Sequence, residues 1–479
     1  MKKAWIAVLV ALMLAGLAGA VPSSSSSAAG MQGYLVVLAG VEGPDGFTAT
    51  GTQAAVQAAV TAAGGTIAND LSRQIGVVNV HSPSSTFASV LSASSLVESV
   101  GADLSWQGLG PPGEPAPDPA PDPLEALQWD MQQIRTDQAH AIQAGIPAVD
   151  VGVLDSGIDG NHVDFKKGLV SNVDCGRGRN SLAALPPGVA FGTPDPCIDN
   201  QFHGTHVAGT IGARANGIGI VGVAPNVTLV PVKVCDTSGY CYASAVVDGI
   251  TYAGDQKLDV INMSFFVDDN EFQESTEFKC MNDPAQRTFR QAVERAIQYA
   301  RNQGVTPVAA LGNSDEDLAH PSEPNENNCE VVPAESAGVI GTAALGRLKQ
   351  KASYSNYGTG ATDVTAPGGT GTGNCLNAVP STFPGSTYGC ISGTSMASPH
   401  AAGVAALIVS QFGTLGVDGD IKMSPTKVEQ YLQATAIDQG LPGYDECFGN
   451  GRIDALRAVT HDTSRLYDAT APYCPEYQE

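Results

Sequence analysis

The sequence predicts an α/β fold in which helices cover both faces of a parallel sheet, with a small α+β domain before it. Beyond Leu124, apolar strand-like runs alternate with helical segments, a pattern typical of parallel sheets. Residues 31–107 instead follow a split βαβ order. A chain of 479 residues also exceeds the usual size of one domain. We therefore expect two folding units.

The N-terminus predicts a secretory signal peptide over residues 1–20. Lys2 and Lys3 precede an apolar run that ends in small residues at 18–20. The alternative is a membrane anchor, which needs about 20 apolar residues. This run is shorter and ends in a cleavage-like Ala-Gly-Ala. The Ser-rich residues 21–30 are expected to form a flexible spacer.

The first folding unit should span residues 31–107 and adopt a ferredoxin-like arrangement. The expected elements are strands over 34–39, 66–71, 74–80 and 96–102 and helices over 50–63 and 84–93. Residues 108–123 are rich in proline and acidic side chains, so we expect an extended, cleavable linker there. The second domain then occupies residues 124–479. Its expected elements are strands over 150–154, 228–234, 258–263, 305–310 and 339–343 and helices over 285–303 and from about 203, 243 and 396.

Charge and cysteine content narrow the class of function. The chain carries 24 basic and 48 acidic side chains, and its net charge of −24 repels nucleic acids and anionic membrane surfaces. The 10 cysteines indicate disulfides, because an exported protein rarely keeps that many as metal ligands or catalytic thiols. Neighbouring cysteines suggest the pairs Cys175–Cys197, Cys235–Cys241, Cys280–Cys329, Cys375–Cys390 and Cys447–Cys474, although the sequence alone leaves the connectivity open.

Two motifs supply an acid and a base. Asp155 follows the apolar run 151–154, and parallel sheets carry their chemistry at such carboxyl ends, although an Asp there is more often a turn residue. His203 opens a helix of small residues, and imidazole exchanges protons near neutral pH. His206 makes a zinc helix the alternative, but the Glu of such a motif and a third ligand are missing.

The third motif, Gly-Thr-Ser-Met-Ala-Ser-Pro-His at 393–400, supplies a nucleophile. Ser395 lies where a buried apolar helix should begin, and the free N–H groups of a first helical turn favour a developing oxyanion. Ser398 is the competing hydroxyl, but three positions later it should point along the buried helix.

In the order Asp155, His203, Ser395, the motifs resemble those of the subtilisin-like serine proteases, or subtilases, over about residues 124–460. The resemblance implies a subtilisin-like sheet with Ser395 as the nucleophile and His203 as the general base and then acid. Asp155 would orient and stabilise the imidazolium. Asn313 matches the family's oxyanion donor, although such an Asn in isolation suggests a turn after a strand.

Further resemblances concern the substrate cleft and a cation. Ser264, Phe265 and Phe266 resemble the segment that lines the primary substrate cleft of subtilases. Phe266 stands where the family usually has glycine, so its ring should narrow or reshape a pocket wall. Asp164 and Asn216 resemble ligands of the family's strong calcium site, with a plain surface loop as the alternative.

We therefore expect a secreted serine endopeptidase that cleaves proteins or peptides through an acyl-enzyme. Residues 31–107 are similar to the subtilase propeptide, so the chain should be an autoprocessed zymogen inhibited by its own propeptide. No cofactor is expected to be required, although structural calcium is a candidate ligand, and neither nucleic acid nor, after signal removal, a membrane is an expected partner. One alternative is a narrow-specificity processing peptidase, favoured by Phe266 and by cysteine-bearing insertions at 171–201 and 268–290. The other is an inactive binding protein on a protease scaffold, which the filled catalytic positions oppose.

Overall fold

The computed structural model describes residues 30–109, 124–189, 191–266, 283–319, 330–371, 375–416, 419, 421–471 and 474. These ranges form two units, each built on its own main sheet. The predicted signal peptide and nearly all of the predicted spacer and linker lie outside the described residues. Within the part of the chain that is described, no helix has the length and apolar character needed to cross a bilayer.

The N-terminal unit is an antiparallel sheet with two helices. Its elements are β1 (Gln32–Leu38), β2 (Gly40–Gly43), β3 (Gly46–Ala49), α1 (Gln53–Ala62), β4 (Thr66–Leu71), β5 (Val77–Ser82), α2 (Phe87–Leu91) and β6 (Val97–Ala102). The order β4-β5-β1-β6 is the predicted split βαβ arrangement. The β2–β3 hairpin was not predicted, because it is mostly exposed and lacks apolar alternation. β5 begins three residues later than expected because Gly76 turns the chain at φ +64°.

β1 joins the two units because it is buried on both faces. Tyr34 and Val36 point to one side and pack with α1 and α2 in the core of the N-terminal unit. Leu35 and Val37 point to the other side, where they enter a core shared with the second unit. Alternation of side chains along a strand thus gives one strand a place in two cores.

The second unit is a seven-stranded parallel sheet with helices on both faces, as predicted. The remaining elements are β7 (Ser105–Gln107), α3 (Trp129–Gln133), α4 (Thr136–His140), β8 (Asp150–Asp155), β9 (Lys166–Lys167), β10 (Val170–Ser171), β11 (Arg179–Asn180), α5 (His203–Gly212), β12 (Thr228–Lys233), β13 (Tyr240–Tyr242), α6 (Ala243–Asp255), β14 (Val260–Met263), α7 (Pro284–Asn302), β15 (Thr306–Ala310), β16 (Ile340–Leu345), β17 (Val364–Pro367), β18 (Val379–Phe383), β19 (Thr387–Ile391), α8 (Thr394–Phe412), β20 (Thr414–Leu415), β21 (Ile421–Lys422), α9 (Pro425–Ala434) and α10 (Ala455–Thr460).

The main sheet separates two hydrophobic cores. Its order is β11-β12-β8-β14-β15-β16-β17, and every pair is parallel. Helices α5 and α8 pack in the core on one face, whereas α6 and α7 pack in the core on the other. β8 lies between β12 and β14, which follow it in the chain on opposite sides. Crevices at such a change of direction are where open parallel sheets bind ligands.

Disulfides brace the second unit. Four of the suggested pairs are confirmed, namely Cys175–Cys197, Cys235–Cys241, Cys375–Cys390 and Cys447–Cys474. The fifth suggested pair, Cys280–Cys329, lies outside the described residues.

Candidate active site

Asp155 and His203 form a buried hydrogen-bonded pair. Asp155 is the last residue of β8 and His203 the first of α5. The Nδ1 atom of His203 lies 3.1 and 3.0 Å from Oδ1 and Oδ2 of Asp155. His203 is only 3% exposed and Asp155 is 0% exposed. A carboxylate on Nδ1 fixes the ring tautomer and leaves Nε2 as the atom that can accept a proton.

A second buried carboxylate, Asp199, holds the start of α5. Its Oδ1 accepts from the Ser156 hydroxyl and from the N–H groups of Gln201 and Phe202, each at 2.9 Å. Its Oδ2 accepts from the N–H and the hydroxyl of Thr205 at 2.9 and 2.7 Å. This residue was not predicted from the sequence. A carboxylate just before a helix is a capping signal, and that signal was available in the sequence.

Gly204 lets α5 approach β8 closely enough for His203 to form its hydrogen bond with Asp155. A Cβ atom at Gly204 would lie 2.1 Å from the carbonyl oxygen of Gly157 and 3.1 Å from the Cβ of Asp155. Any side chain at this position would therefore push the helix, and His203 with it, away from the carboxylate.

Ser395 lies in the first turn of α8 and is 5% exposed. Pro399 lies inside the same helix and has no N–H to donate to the carbonyl of Ser395, four residues earlier. That carbonyl instead accepts a hydrogen bond from the Ser264 hydroxyl at 2.8 Å. The competing hydroxyl of Ser398 is fully buried and lies 2.9 Å from the Ser264 hydroxyl. Ser264 thus supports the helix turn that carries Ser395.

Asn313 lies beside this turn, after β15. Its Oδ1 accepts from the N–H and the hydroxyl of Thr394 at 2.9 and 3.0 Å, which leaves Nδ2 as a donor. A Cβ atom built on Gly393 would lie 3.6 Å from the Ser395 nitrogen and 3.7 Å from Nδ2 of Asn313. Both nitrogens therefore border the same small space, and two such donors can stabilise an oxyanion.

His206, the basis of the zinc alternative, is fully buried in α5. Its Nε2 lies 3.0 Å from the carbonyl oxygen of Val379. Burial, followed by the nearby His203, lowers the pKa of His206 to about 3. The ring is thus neutral near physiological pH. Among the described residues, no group of three or more His, Cys, Asp or Glu side chains could hold a metal ion.

Comparison with known proteins decides the family. Residues 147–451 match the model of the subtilase family. The chain is 34% identical to subtilisin DY of Bacillus licheniformis over 335 residues, which covers 70% of this chain and 99% of that protein. The chain belongs to the subtilase family. It is also 32% identical over 336 residues to a thermostable alkaline protease of Halalkalibacterium halodurans, covering 70% of this chain and 74% of that protein.

Two solved protease structures share the fold. The epidermin leader peptide processing serine protease of Staphylococcus aureus covers 90% of this chain with a TM-score of 0.67 and 20% identity, and 98% of that chain is matched. A lanthipeptide protease covers 70% of this chain with a TM-score of 0.56 and 26% identity, and 93% of that chain is matched. As a subtilase, the chain is a serine endopeptidase that hydrolyses peptide bonds.

The segment after β14 carries the residues compared with the substrate cleft of subtilases. The side chains of Ser264 and Phe265 are fully buried, so any contact with a substrate would come from their backbone atoms. The ring of Phe266 is half-buried and packs against the core that contains Phe265. Its Cδ2 would lie 3.6 Å from a Cβ atom on Gly312, the residue before Asn313. Phe266 is therefore a neighbour of the proposed oxyanion donor.

The candidate calcium ligands Asp164 and Asn216 are neighbours, because a hydrogen bond from the Asn216 side chain is among the interactions that lower the pKa of the Asp164 carboxyl. Oδ2 of Asp164 accepts from the N–H of Ile220 at 2.8 Å, whereas the buried Oδ1 has no hydrogen-bond partner. Burial raises the pKa of the Asp164 carboxyl to about 7. Asn216 braces the loop, because its Nδ2 donates to the carbonyl of Lys166 at 2.9 Å. A desolvated carboxylate oxygen without a donor is suited to a hard cation.

Proposed function

We propose that this subtilase is exported as a self-inhibited precursor whose catalytic residues are Ser395, His203, Asp155 and Asn313. The observation that carries the assignment is the Asp155–His203 hydrogen bond of 3.0 Å. The helix turn with Ser395 and the amide of Asn313 supply the other two parts of an acyl-transfer site. Export is supported by the signal-like residues 1–20 and by the disulfides.

The proposed chemistry uses these four residues. Ser395 Oγ attacks the carbonyl carbon of the scissile bond while Nε2 of His203 takes its proton. The Ser395 N–H and the Asn313 Nδ2 donate to the oxyanion of the tetrahedral intermediate. His203 then gives the proton to the leaving amine, which leaves an acyl-enzyme on Ser395. A water molecule, deprotonated by His203, hydrolyses this ester, and Asp155 stabilises the imidazolium in both halves.

Self-inhibition is supported by the strand that follows the N-terminal unit. β7 pairs antiparallel with β13 of the second unit, with Trp106 opposite Cys241. Trp106 is 3% exposed, and its ring centroid lies 5.3 Å from that of Phe289. Peptides are commonly held by adding an extended strand to a free edge in this way. We infer that β7 occupies the place of a substrate strand.

A second contact holds the N-terminal unit in place. The carboxylate of Asp103 accepts from the N–H and the hydroxyl of Ser244 at 2.8 and 2.6 Å. Ser244 is the second residue of α6, and a helix N-terminus interacts favourably with negative charge. This arrangement also supports residues 31–107 as an inhibitory propeptide.

A narrow-specificity processing peptidase remains the second candidate within the same chemistry. The ring of Phe266 beside Gly312 favours it, because an aromatic side chain takes up volume near the proposed oxyanion donor. The similarity to a lanthipeptide protease at 26% identity points the same way. A broad profile on a peptide library would oppose this candidate. The inactive-scaffold alternative requires a missing catalytic group, and all four are present.

A serine-directed sulfonyl fluoride tests the catalytic assignment. The full chain is incubated until casein hydrolysis appears and is then treated with the reagent. Ser395 Oγ should form a bond to sulfur and release fluoride, with the proton passing to His203, so activity should fall as the label accumulates. Peptide mass spectrometry should place the label on Ser395. Labelling of Ser398 or of another serine, at equal loss of activity, would contradict the assignment.

We also propose that Asp164 and Asn216 belong to a structural calcium site. Calcium, when bound, would compensate the buried charge of Asp164. Because the folded-state pKa of Asp164 is raised, the metal-free protein gains stability from this group at low pH and loses it as the pH rises from about 3.8 to about 7. Calcium should therefore raise Tm more at pH 8 than at pH 5. Asp164→Asn should abolish this difference, and an unchanged calcium response in that variant would remove Asp164 from the site.

A further inference from the structure

Residues 105–109, here called the docked segment, lie along β13. Beyond the β7 pairing, the N–H of Leu109 donates to the carbonyl of Gly239 at 3.1 Å. Trp106 and Leu109 are both buried in the core that contains Phe265. The docked segment therefore marks the side-chain positions that this face of the cleft can hold.

The strand that receives the docked segment is tied to the catalytic residues by a disulfide. Cys241 of β13 is bonded to Cys235, with 4.0 Å between their Cα atoms. The backbone N–H of Cys235 donates to the carbonyl oxygen of Asp155 at 3.2 Å. Both cysteines are fully buried, so the position of the Cys241 sulfur beside the docked segment is fixed by covalent and hydrogen bonds.

Gly108 of the docked segment faces this sulfur. A Cβ atom at position 108 would lie 2.6 Å from Sγ of Cys241 and 2.8 Å from Nε1 of Trp106. Both distances are well below van der Waals contact, which for non-bonded heavy atoms lies near ~3.5–4.0 Å. The φ angle of Gly108 lies outside the left-handed region, so its backbone would accept an L-residue. The shortest of these contacts is with the Cys241 sulfur of the cleft wall, and the other is with the Trp106 ring of the docked segment itself.

We infer that the Cys235–Cys241 disulfide makes this peptidase select segments with glycine two residues after a large aromatic side chain, the pattern of Trp106 and Gly108. The inference rests on the proposed role of the docked segment as the occupant of the substrate strand. Cys241 is a specificity-determining residue, because its sulfur closes the space that a side chain at the glycine position would need.

Quenched fluorescent peptides built around Ser-Trp-Gln-Gly-Leu test the selection. The glycine is replaced by alanine or valine in matched peptides, and kcat/KM is measured with the full chain after casein hydrolysis has appeared. Alanine and valine should lower kcat/KM by roughly 10- to 100-fold, the range expected when a small pocket must accept extra volume. In Cys235→Ala/Cys241→Gly, where the sulfur is gone, the three peptides should be cleaved within a few-fold of one another.

Two variants separate the sulfur from other effects of losing a disulfide. Cys235→Ser/Cys241→Ser replaces the sulfur beside Gly108 with a hydroxyl oxygen. This variant should therefore keep most of the preference for glycine. Cys375→Ala/Cys390→Ala removes a different disulfide and should leave the preference ratio unchanged. Equal cleavage of the three peptides by the unmodified enzyme, or an undiminished preference in Cys235→Ala/Cys241→Gly, would overturn the inference. A chain that cleaves neither casein nor any peptide would overturn the proposed function itself.

Discussion

Replacing Ser395 with alanine is expected to lower kcat by about 10⁶, the magnitude known for loss of the nucleophile in subtilisin-like enzymes. On the proposed self-processing, the same substitution should also leave the chain uncleaved between its two units, because the hydroxyl that cuts substrates would also be the one that cuts the precursor. The fold should survive, since the substitution keeps the Ser395 carbonyl that accepts the hydrogen bond from the Ser264 hydroxyl. Gel electrophoresis and peptide kinetics in a host lacking related proteases measure both effects.

Ser398→Ala is the matched control for this prediction. Ser398 is fully buried and bonded to Ser264, so its loss should cost stability of the order of 1 kcal/mol while processing continues. Normal maturation of Ser395→Ala would contradict self-processing. Loss of maturation in Ser398→Ala, with its fold intact, would point to the wrong nucleophile.

Replacing Asn313 with leucine should lower kcat by roughly 10²–10³ with little change in KM, the size of effect established for the corresponding donor in this family. The physical reason is that Nδ2 borders the oxyanion space next to the Ser395 nitrogen and meets full negative charge only in the transition state. Single-substrate kinetics on a short peptide would measure kcat and KM separately.

Asn313→Leu also removes the oxygen that accepts two hydrogen bonds from Thr394. A second variant is therefore needed to measure the effect of the Nδ2 donor alone. Asn313→Asp keeps an oxygen that can accept from the N–H and the hydroxyl of Thr394, but it removes the donor and adds negative charge. If Asn313 acts on the oxyanion, Asn313→Asp should be at least as slow as Asn313→Leu. Near-normal kcat in Asn313→Asp would mean that Asn313 only positions the start of α8.

Local sequence signals predicted the parts of the site that depend on single elements. Asp155 follows an apolar run, His203 opens a small-residue helix, and Ser395 begins a helix with glycine before it, so each position could be recognised from a few neighbours. The alternation of strands and helices likewise predicted a parallel sheet. The order of its strands was not predicted, because it is set by packing between elements that are distant in the chain.

The remaining features arise from contacts that no local pattern reveals. The sequence predicts Ser264 as a residue of the substrate cleft. In the structure its hydroxyl also donates to the Ser395 carbonyl, which Pro399 leaves without its usual helical hydrogen bond. The contact between Gly108 and Cys241 depends on two units folding together. Asp199 combines both kinds of signal. Its position before a helix can be read from the sequence, whereas its hydrogen bond with the Ser156 hydroxyl appears only in the structure.

If the N-terminal unit is the inhibitory propeptide proposed above, the two-sided burial of β1 makes its release hard to reverse. Leu35 and Val37 leave a shared core when the N-terminal unit departs, and exposing apolar surface costs about 25 cal/mol per Å². The departing unit keeps only its smaller core with α1 and α2, so it opens more often than it did in the precursor. Opened chain is what a peptidase digests, and the nearest peptidase is the one just released. On the proposed function, an inhibitor that is digested after release could not rebind, so the conversion of precursor to active enzyme would be irreversible.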